Sequence, residues 1–297
     1  MQEIITAIFC DIDDFCKAFA EYCQTHLLPD QADSRGFFPR SSMVLSEIMT
    51  ICILFHQSNY RTFKWYHKNH VCVNLRNYFP HLVSYNRFVE LMQISFLPLT
   101  VYMMKYRVGK CSGISFIDST TLDVCHTRRI HAHKVFDGLA KRGKSSTGWF
   151  YGFKLHLIIN DQGEILSFCL TPGNVDDRNL KLIRHLTKDV FGKLFGDKGY
   201  LSSKLFVELF EKNITLITKI KKNMKNVLMD LSDKLLLRKR AIIESVNDFL
   251  KNICQIEHSR HRSPVNFLVN LVSGLVAYSF LPSKPSLHLN NPTALPA

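Results

Sequence analysis

The chain has 297 residues, of which 46% are hydrophobic and 21% are charged. This composition is typical of a globular protein with a sizeable core, and it excludes a disordered chain, a collagen and a coiled-coil rod. The 38 lysines and arginines outnumber the 25 acids, which gives a formal net charge of +13. An excess of that size favours a polyanionic partner, most often nucleic acid. The alternatives are a basic housekeeping enzyme and a protein of the membrane surface.

The sequence gives no sign of a membrane span or a signal peptide. No apolar run approaches the ~20 residues that cross a bilayer, since the best candidate, residues 267–281, contains Asn270 and Ser273. The N-terminus lacks a basic start, and acidic residues follow from Asp11 onward. The nine cysteines are scattered without a CxxC pair, which argues against a zinc site and a disulfide framework. We therefore expect a cytoplasmic protein whose cysteines are mostly small buried hydrophobes in a reducing compartment.

The first 110 residues have the pattern of a helical region. Apolar residues near a 3.6-residue spacing predict helices over residues 4–19, 43–55 and 84–96. Ser42 and Ser84 are the predicted N-caps of the last two. Residues 60–68 mix aromatic and basic side chains, a combination that can hold DNA by stacking and phosphate contact. The alternative is a core helix with a basic polar face. We favour the core position for the aromatics and DNA contact for the cations.

After residue 110 the pattern changes to alternating strands and helices. Strands are predicted over residues 113–124, 149–159, 164–170, 193–197 and 214–220. Helices are predicted over residues 177–189, 203–212, 231–254 and 264–280, the last opened by an N-cap serine and an N1 proline. Up to residue 254 the order, β-β-β-α-β-α-β-α, is that of a ribonuclease-H-like α/β fold with a mixed sheet. We therefore predict an all-helical region over 1–110, a ribonuclease-H-like domain over 111–281 and a loose tail over 282–297.

Three acids in the second region are candidates for metal chemistry. Asp118 lies inside an apolar strand, where a carboxylate is costly unless it is paired or binds a metal. Asp197 follows the fourth strand between glycines, and Glu244 lies on the long helix. In a ribonuclease-H-like arrangement the first and fourth strands are neighbours and the last helix crosses beside their ends, so the three carboxylates would converge. Such a cluster needs cations, and hard oxygen ligands suit Mg²⁺ or Mn²⁺. Taken singly, each acid has an ordinary explanation as a capping, paired or solvated side chain.

Four short segments surround these acids: FIDST (116–120), GFKLH (152–156), PGNVDD (172–177) and GDKGY (196–200). Arg240, Glu244 and Lys251 also match the spacing Tyr-x2-Arg-x3-Glu-x6-Lys, although the tyrosine position is Leu237. With these motifs the chain resembles the DDE-type transposases of bacterial insertion sequences, closest to insertion-sequence family 982. The resemblance covers nearly the whole chain. The departure at Leu237 leaves the assignment of Glu244 intact and puts any role of the tyrosine in doubt.

The resemblance implies a transposase that binds the terminal inverted repeats of its element, cuts there and joins the ends to target DNA. Residues 1–110 would bind DNA, and the domain over 111–281 would catalyse. Asp118, Asp197 and Glu244 would hold two Mg²⁺ ions, for which Mn²⁺ may substitute, one of them activating the attacking water. The freed 3′-hydroxyl would then carry out strand transfer without a covalent protein–DNA intermediate. A homodimer or higher assembly on DNA, in the nucleoid of a bacterial cytoplasm, is also implied.

Two alternatives remain open beside the transposase. One is a metal-dependent DNA nuclease of the same fold that cuts without joining, and the other is a decayed copy that only binds DNA.

Basic side chains near the acids are candidates for phosphate contact, with a solvated surface charge as the alternative for each. The segment over residues 126–144 is predicted to be a mobile loop that orders on DNA. Arg240 and Lys251 lie approximately on one face of the Glu244 helix. The full set of predicted DNA contacts is Arg240, Lys251, Arg128, Arg129, Lys141, Arg142, Lys154, Lys198, Lys221, Lys222, Arg260 and Arg262.

Other titratable groups compete for the same roles. Asp123 is five residues beyond Asp118, and in a regular strand this odd spacing puts it on the opposite face. Asp176 and Asp177 follow a Pro-Gly-Asn turn, and we predict that they cap the next helix, with the alternative that one of them supports a metal ligand. His156 is either a phosphate contact or a satisfied core histidine.

Overall fold

A computed structural model of the chain describes residues 2–26, 41–145, 148–219, 228–257, 261–287 and 289. Its helices are α1 (Gln2–His26), α2 (Leu45–Phe55), α3 (Phe63–Tyr66), α4 (Cys72–Asn74), α5 (Tyr85–Leu91), α6 (Phe96–Tyr102), α7 (Leu180–Leu186), α8 (Ser203–Phe210), α9 (Leu231–Lys239), α10 (Ala241–Asp248) and α11 (Pro264–Ser279). Its strands are β1 (Ile114–Asp123), β2 (Lys141–Ser145), β3 (Gly148–Asn160), β4 (Ile165–Pro172), β5 (Gly192–Gly196) and β6 (Ile214–Thr218). Turns of π-helix cover His67–Val71, Met103–Arg107 and Phe249–Ile253, and 3₁₀ turns cover Met92–Ser95, Thr127–Ala132 and Lys198–Tyr200.

The chain divides into two compact units, a helical unit and a sheet unit. The helical unit consists of Met1–Arg107, Leu250–Ile256 and His261–Leu281, and the sheet unit consists of Val108–Phe249, Glu257–Arg260 and Pro282–Ala297. The first boundary lies close to the predicted residue 110. The last helix, α11, lies within the predicted domain over 111–281 but belongs to the helical unit, where it packs on α2 and α6. Its sequence is apolar almost all round, and such a helix must be covered by several neighbours wherever they lie in the chain.

In the helical unit, α1 buries one apolar stripe formed by Ile5, Ile8, Ile12 and Phe15, and it packs on α2. The spacing of these residues is that of one helix face, which is why the predicted helix formed. The predicted cap at Ser84 is confirmed, since its side chain accepts from the backbone N–H of Arg87.

The N-cap predicted at Ser42 is wrong. The hydroxyl of Ser42 donates to the carbonyl of His81, and α2 begins after Val44, whose backbone N–H donates to the side chain of Glu47. A glutamate three residues into the helix can satisfy that N–H without a serine at the cap. The predicted helix over 84–96 is also interrupted, because a 3₁₀ turn separates α5 from α6.

In the sheet unit, the described residues form six strands of one mixed sheet. β1 pairs antiparallel with β3, which also pairs with β2 and β4. β5 lies parallel to β1, and β6 lies parallel to β5. The predicted ribonuclease-H-like α/β fold is thereby confirmed. One face of the sheet is covered by α7 and α8, whose buried leucines pack with Ile117 of β1 and Ile158 of β3.

Three predicted elements of the sheet unit need correction. The segment over 126–144 is not only a loop, because it contains a 3₁₀ turn and part of β2. β2 lacked an apolar signal because it exposes its basic side chains while its backbone pairs with β3. The predicted helix over 231–254 is divided at Arg240 and ends in a π-helical turn, since apolar spacing does not detect a break of one residue. The helix predicted over 177–189 is the shorter α7.

The remaining global expectations concern cysteines, membranes and the tail. All nine cysteines are free thiols. No helix within the described ranges is both long and apolar enough to cross a bilayer. At the start of the predicted tail, the backbone N–H of Leu287 donates to the carbonyl of Asp161 at 2.9 Å. Residues 288 and 290–297 lie outside the described residues.

Candidate active site

Sheet register aligns the first two predicted acids. Phe116 of β1 pairs in parallel with Phe195 of β5. Asp118 lies two residues later on β1, and Asp197 lies two residues later, directly after the end of β5. The pairing of β1 with β3 is continuous from Ser115 to Asp123, so the alternation of side chains along β1 is regular. The adjacency of the first and fourth predicted strands therefore puts the two aspartates at the same level of the sheet.

The third predicted acid lies on a helix. Glu244 is in α10, which packs on β1, and its carboxylate is 57% exposed. The guanidinium of Arg240, one turn earlier, pairs with it at 2.5 Å and is only 14% exposed. A second nitrogen of that guanidinium is buried without a hydrogen-bond partner. Arg240, which was predicted to meet DNA phosphate, is here the counter-ion of Glu244.

Asp118 has a partly buried carboxylate that interacts with residues of α10. The side-chain amide of Asn247 on α10 donates to the Asp118 carboxylate at 3.2 Å. Burial, together with the negative charges of Glu244 and Asp197, raises the pKa of Asp118 to about 6 against the opposing effects of the Ser119 backbone and Arg240. The raised pKa therefore reflects mainly the burial of this carboxylate, with smaller contributions from the charges of Glu244 and Asp197.

The donor set has the chemistry of a hard-cation site. Asp118, Asp197 and Glu244 offer three carboxylates, and Mg²⁺ or Mn²⁺ prefers oxygen ligands of this kind. Within the described residues, however, no three His, Cys, Asp or Glu side chains are close enough to hold one ion together. Glu244 is instead held by Arg240, and Asp118 by Asn247. The residues fit a divalent cation in charge and type, while the ligand cage itself is not assembled.

The competing acids have other partners. Asp123 lies on the opposite side of β1 from Asp118 by strand alternation, and its backbone N–H bonds Glu257 at 2.8 Å. The prediction that Asp176 and Asp177 cap the next helix is wrong, because Asn179 accepts the bonds of the first turn of α7. A short asparagine side chain directly before the helix reaches those N–H groups better than acids further upstream.

The two acids of this turn form ion pairs with basic neighbours. Asp176 pairs with Arg178 at 2.7 Å, and Asp177 pairs with Lys154 at 3.0 Å. The charge-assisted bonds from Arg178 lower the pKa of Asp176 to about 2.

His156 has the environment of a core histidine. It is 1% exposed, and one ring nitrogen lies 2.9 Å from the hydroxyl of Thr171 on the paired strand. Burial lowers its pKa to about 4, so the ring is neutral at pH 7. A neutral ring hydrogen-bonded inside the sheet is not positioned to meet a phosphate. Lys154 likewise has protein partners, the carbonyl of Val175 and the carboxylate of Asp177.

The structure separates the predicted DNA contacts into several groups. Arg142, Lys154 and Lys198 line one open cavity beside Asp197, whereas Lys141 lies on the other face of β2. Arg128 and Arg129 are exposed on the 3₁₀ turn that follows β1. Lys251 and Arg262 belong to the helical unit. The predictions that lie outside the described residues are Lys221, Lys222 and Arg260.

Sequence reasoning missed Asn247 and Trp149 as site residues, whereas Lys144 belongs to the basic segment over 126–144 that is predicted to order on DNA. Asn247 lies three residues after Glu244, a spacing that shares a helix face, but an asparagine on a helix carries no chemical signature of its own. Lys144 and Trp149 lie on β2 and β3, and β2 was not predicted. Leu237, which replaces the signature tyrosine, is buried on α9.

The fold and the acidic site define a class of protein, and comparison with known proteins specifies it. The family model for the "Transposase DDE domain" matches residues 108–264, more than half of the chain. The chain therefore belongs to the transposase DDE domain family, whose members generally use divalent metal ions.

Solved structures and curated proteins add little to this assignment. The structure of a piggyBac transposase synaptic complex with hairpin DNA is similar at a TM-score of 0.48 and 9% sequence identity. The similarity covers 79% of this chain and 64% of that one, so this chain spans less than two thirds of that protein's length. Comparison with curated protein sequences gave no match.

Proposed function

We propose that this protein is the transposase of a bacterial insertion sequence, similar to family 982, that cuts DNA at the element's inverted repeats and joins the ends to a target. The observation that carries the proposal is the common level of Asp118 and Asp197 in a DDE transposase domain, with Glu244 on the helix packed against β1. The net charge of +13 supports a DNA partner. A cytoplasmic assembly of two or more copies on nucleoid DNA belongs to the same proposal.

In this proposal Asp118, Asp197 and Glu244 hold two Mg²⁺ ions, which Mn²⁺ can replace. Bound there, such ions activate the attacking oxygen and stabilise the leaving oxygen of phosphoryl transfer. The amide of Asn247 orients the Asp118 carboxylate through the bond at 3.2 Å. The guanidinium of Arg240 balances the negative charge of the site and must release Glu244 before that carboxylate can turn to a metal ion.

The chain's basic side chains position the DNA. Arg142 and Lys198 line an open cavity next to Asp197 and are suited to bind phosphate oxygens. Arg128 and Arg129, exposed on the turn that follows β1, are further candidates for phosphate contact. The helical unit supplies DNA binding through residues 1–110, including the cations of residues 60–68. Removal of residues 1–100 is therefore expected to abolish binding to end DNA.

The test is a cleavage and strand-transfer assay with the full chain, DNA that carries the element's ends, and Mg²⁺ or Mn²⁺. We expect the wild-type protein to cut and join, and Asp118→Ala, Asp197→Ala and Glu244→Ala to bind DNA without cutting. Nicked DNA without joined product would instead identify a nuclease of the same fold. Binding without cleavage by the wild-type chain would identify a DNA-binding copy and contradict the enzymatic proposal.

A further inference from the structure

An open cavity of about 640 Å³ lies in the sheet unit beside Asp197. Its walls are β2, the start of β3, the turn from Gly173 to Arg178, and Lys198 with Gly199. The volume falls in the range of cavities that take small organic ligands. The candidate acids do not line it, so it is a separate feature from the metal-binding part of the site.

Two glycines allow this cavity to form. A Cβ atom on Gly143 would collide with the carbonyl oxygen of Gly173, and one on Gly173 would collide with the carbonyl of Lys141. The close backbone approach brings β2 against the turn after β4. Alternation along β2 then puts Arg142 and Lys144 on one face.

The cavity has an excess of positive charge. Its two acids, Asp176 and Asp177, are already paired with Arg178 and Lys154. Within the described ranges, no carboxylate pairs with the other three lining cations, which are Arg142, Lys144 and Lys198. These three side chains therefore form a surface that favours an anion with several oxygens, such as a phosphodiester.

An aromatic ring faces the same cavity. Trp149 on β3 lies directly opposite Lys144 on β2, and its side chain is 61% exposed. The ammonium of Lys144 lies 5.8 Å from the ring centroid. Exposed indole beside unpaired cations is the combination that binds single-stranded nucleic acid, because every base offers a face for stacking.

We propose that this cavity binds an unpaired nucleotide of DNA, with its base stacked on Trp149 and its flanking phosphates on Arg142, Lys144 and Lys198. The inference rests on the proposed function, since it identifies the form of DNA that the same site holds. A base inside a duplex is already stacked on its neighbours, so only an unpaired base can cover the ring. Because Lys198 follows Asp197 directly, a strand held here passes beside the candidate acids.

The first test uses tryptophan fluorescence without metal ions. The chain has two tryptophans, so a Trp65→Phe background leaves Trp149 as the reporter. A short oligothymidylate should quench this fluorescence, whereas an abasic deoxyribose-phosphate oligomer of equal length should bind without quenching. Equal quenching by both oligomers would overturn the stacking proposal.

The second test measures affinity for the same two oligomers. Trp149→Ala should weaken oligothymidylate binding about 5- to 150-fold and leave the abasic oligomer within about twofold. Phe210→Ala is the matched control, because Phe210 is 66% exposed at the end of α8 and does not line the cavity, and it should leave both affinities unchanged. Trp149→Phe, which keeps an aromatic face, should lose less than Trp149→Ala and guards against a folding defect. An unchanged preference for thymidylate in Trp149→Ala would contradict the proposal.

The two proposals fail in different ways. Stacking on Trp149 with no metal-dependent cleavage by the wild-type protein would contradict the transposase and retain the nucleotide site. Cleavage and joining by the wild-type protein, with no effect of Trp149→Ala on single-stranded binding, would contradict the nucleotide site and retain the transposase.

Discussion

The two units hold their polar side chains in place by different means. In the sheet unit, Asp118 and Asp197 are set by backbone pairing between neighbouring strands. In the helical unit, Asp11 is set by side chains, since Tyr102 donates to it at 2.7 Å and Arg107 at 3.0 Å. Backbone pairing follows from strand order and alternation, so it can be read from sequence. A side-chain network depends on which helices meet, and a sequence does not state that.

Glu244 lies in the sheet unit but is positioned by a side chain, as Asp11 is in the helical unit. It belongs to the sheet unit, yet it lies on a helix and is positioned by its ion pair with Arg240. The comparison teaches that the strand-borne acids form the fixed part of the candidate site and the helix-borne acid forms the adjustable part.

The largest expected effect comes from a change to Asp118, one of the two acids positioned by strand pairing. Asp118→Asn should reduce DNA cleavage to the background of the assay, because it removes a charge that the metal ions require. Asp123→Asn is the matched control on the same strand and should retain cleavage, since its side chain is on the other face. A gel assay with end DNA measures both. An equal loss of cleavage in the two variants would show that the face of β1 on which an aspartate lies does not determine its part in catalysis.

A smaller effect tests the contact between α10 and β1. Asn247→Ala should slow cleavage about 10- to 100-fold without changing DNA affinity, because outer residues that orient a metal ligand have effects of this size. Ser245→Ala on the same helix is the control, since that hydroxyl donates to the carbonyl of Ala241 within the helix. Rates under single-turnover conditions separate the two. An unaffected rate in Asn247→Ala would remove Asn247 from the site.

The elements of the sheet unit were more predictable from sequence than the contacts of the helical unit. The strands β1, β3, β4, β5 and β6 could be predicted because each contains an apolar run, and the fold follows from their order. The alignment of Asp118 with Asp197 followed from that order. β2 could not be predicted, because its pairing depends on backbone bonds while Lys141, Arg142 and Lys144 face solvent.

The helical contacts were less predictable. The packing of α11 with the N-terminal helices depends on tertiary choice among several apolar faces. The pairing of Arg240 with Glu244 is compatible with their four-residue spacing, but the spacing equally fits two solvated charges.

A third prediction tests how strongly the sheet register is fixed. A Cβ atom on Gly152 would collide with the carbonyl of Leu122 on β1, so Gly152→Ala should lower the free energy of unfolding by about 3 kcal/mol. Gly199→Ala meets no atom within 4 Å and should change it by less than about 0.5 kcal/mol. Urea denaturation followed by circular dichroism measures both. Equal stability of the two variants would contradict the close approach of β1 and β3.

The smallest effect concerns the helical unit. His56 is buried and bonds the carbonyl of Cys254, and burial lowers its pKa to about 4. In the unfolded chain this histidine has a pKa of about 6.5, so the unfolded state binds more protons between the two values and stability falls as pH drops through this window. This group should contribute a loss of about 2 kcal/mol between about pH 7.5 and about pH 5.

The check is the pH dependence of the unfolding free energy in His56→Gln, whose slope should be smaller than that of the wild-type chain. His26→Gln is the control, because His26 is exposed on α1. Parallel slopes for His56→Gln and the wild type would refute a buried neutral His56.

The most direct measurement of the central claim is the binding of Mn²⁺ to the full chain by titration calorimetry, without DNA cleavage as the readout. The account predicts that Asp118→Asn and Asp197→Asn each weaken Mn²⁺ binding strongly, that Glu244→Gln weakens it as well, and that Asp123→Asn binds as the wild type does. Unchanged Mn²⁺ affinity in both Asp118→Asn and Asp197→Asn would contradict the assignment of these strand-borne carboxylates as metal ligands.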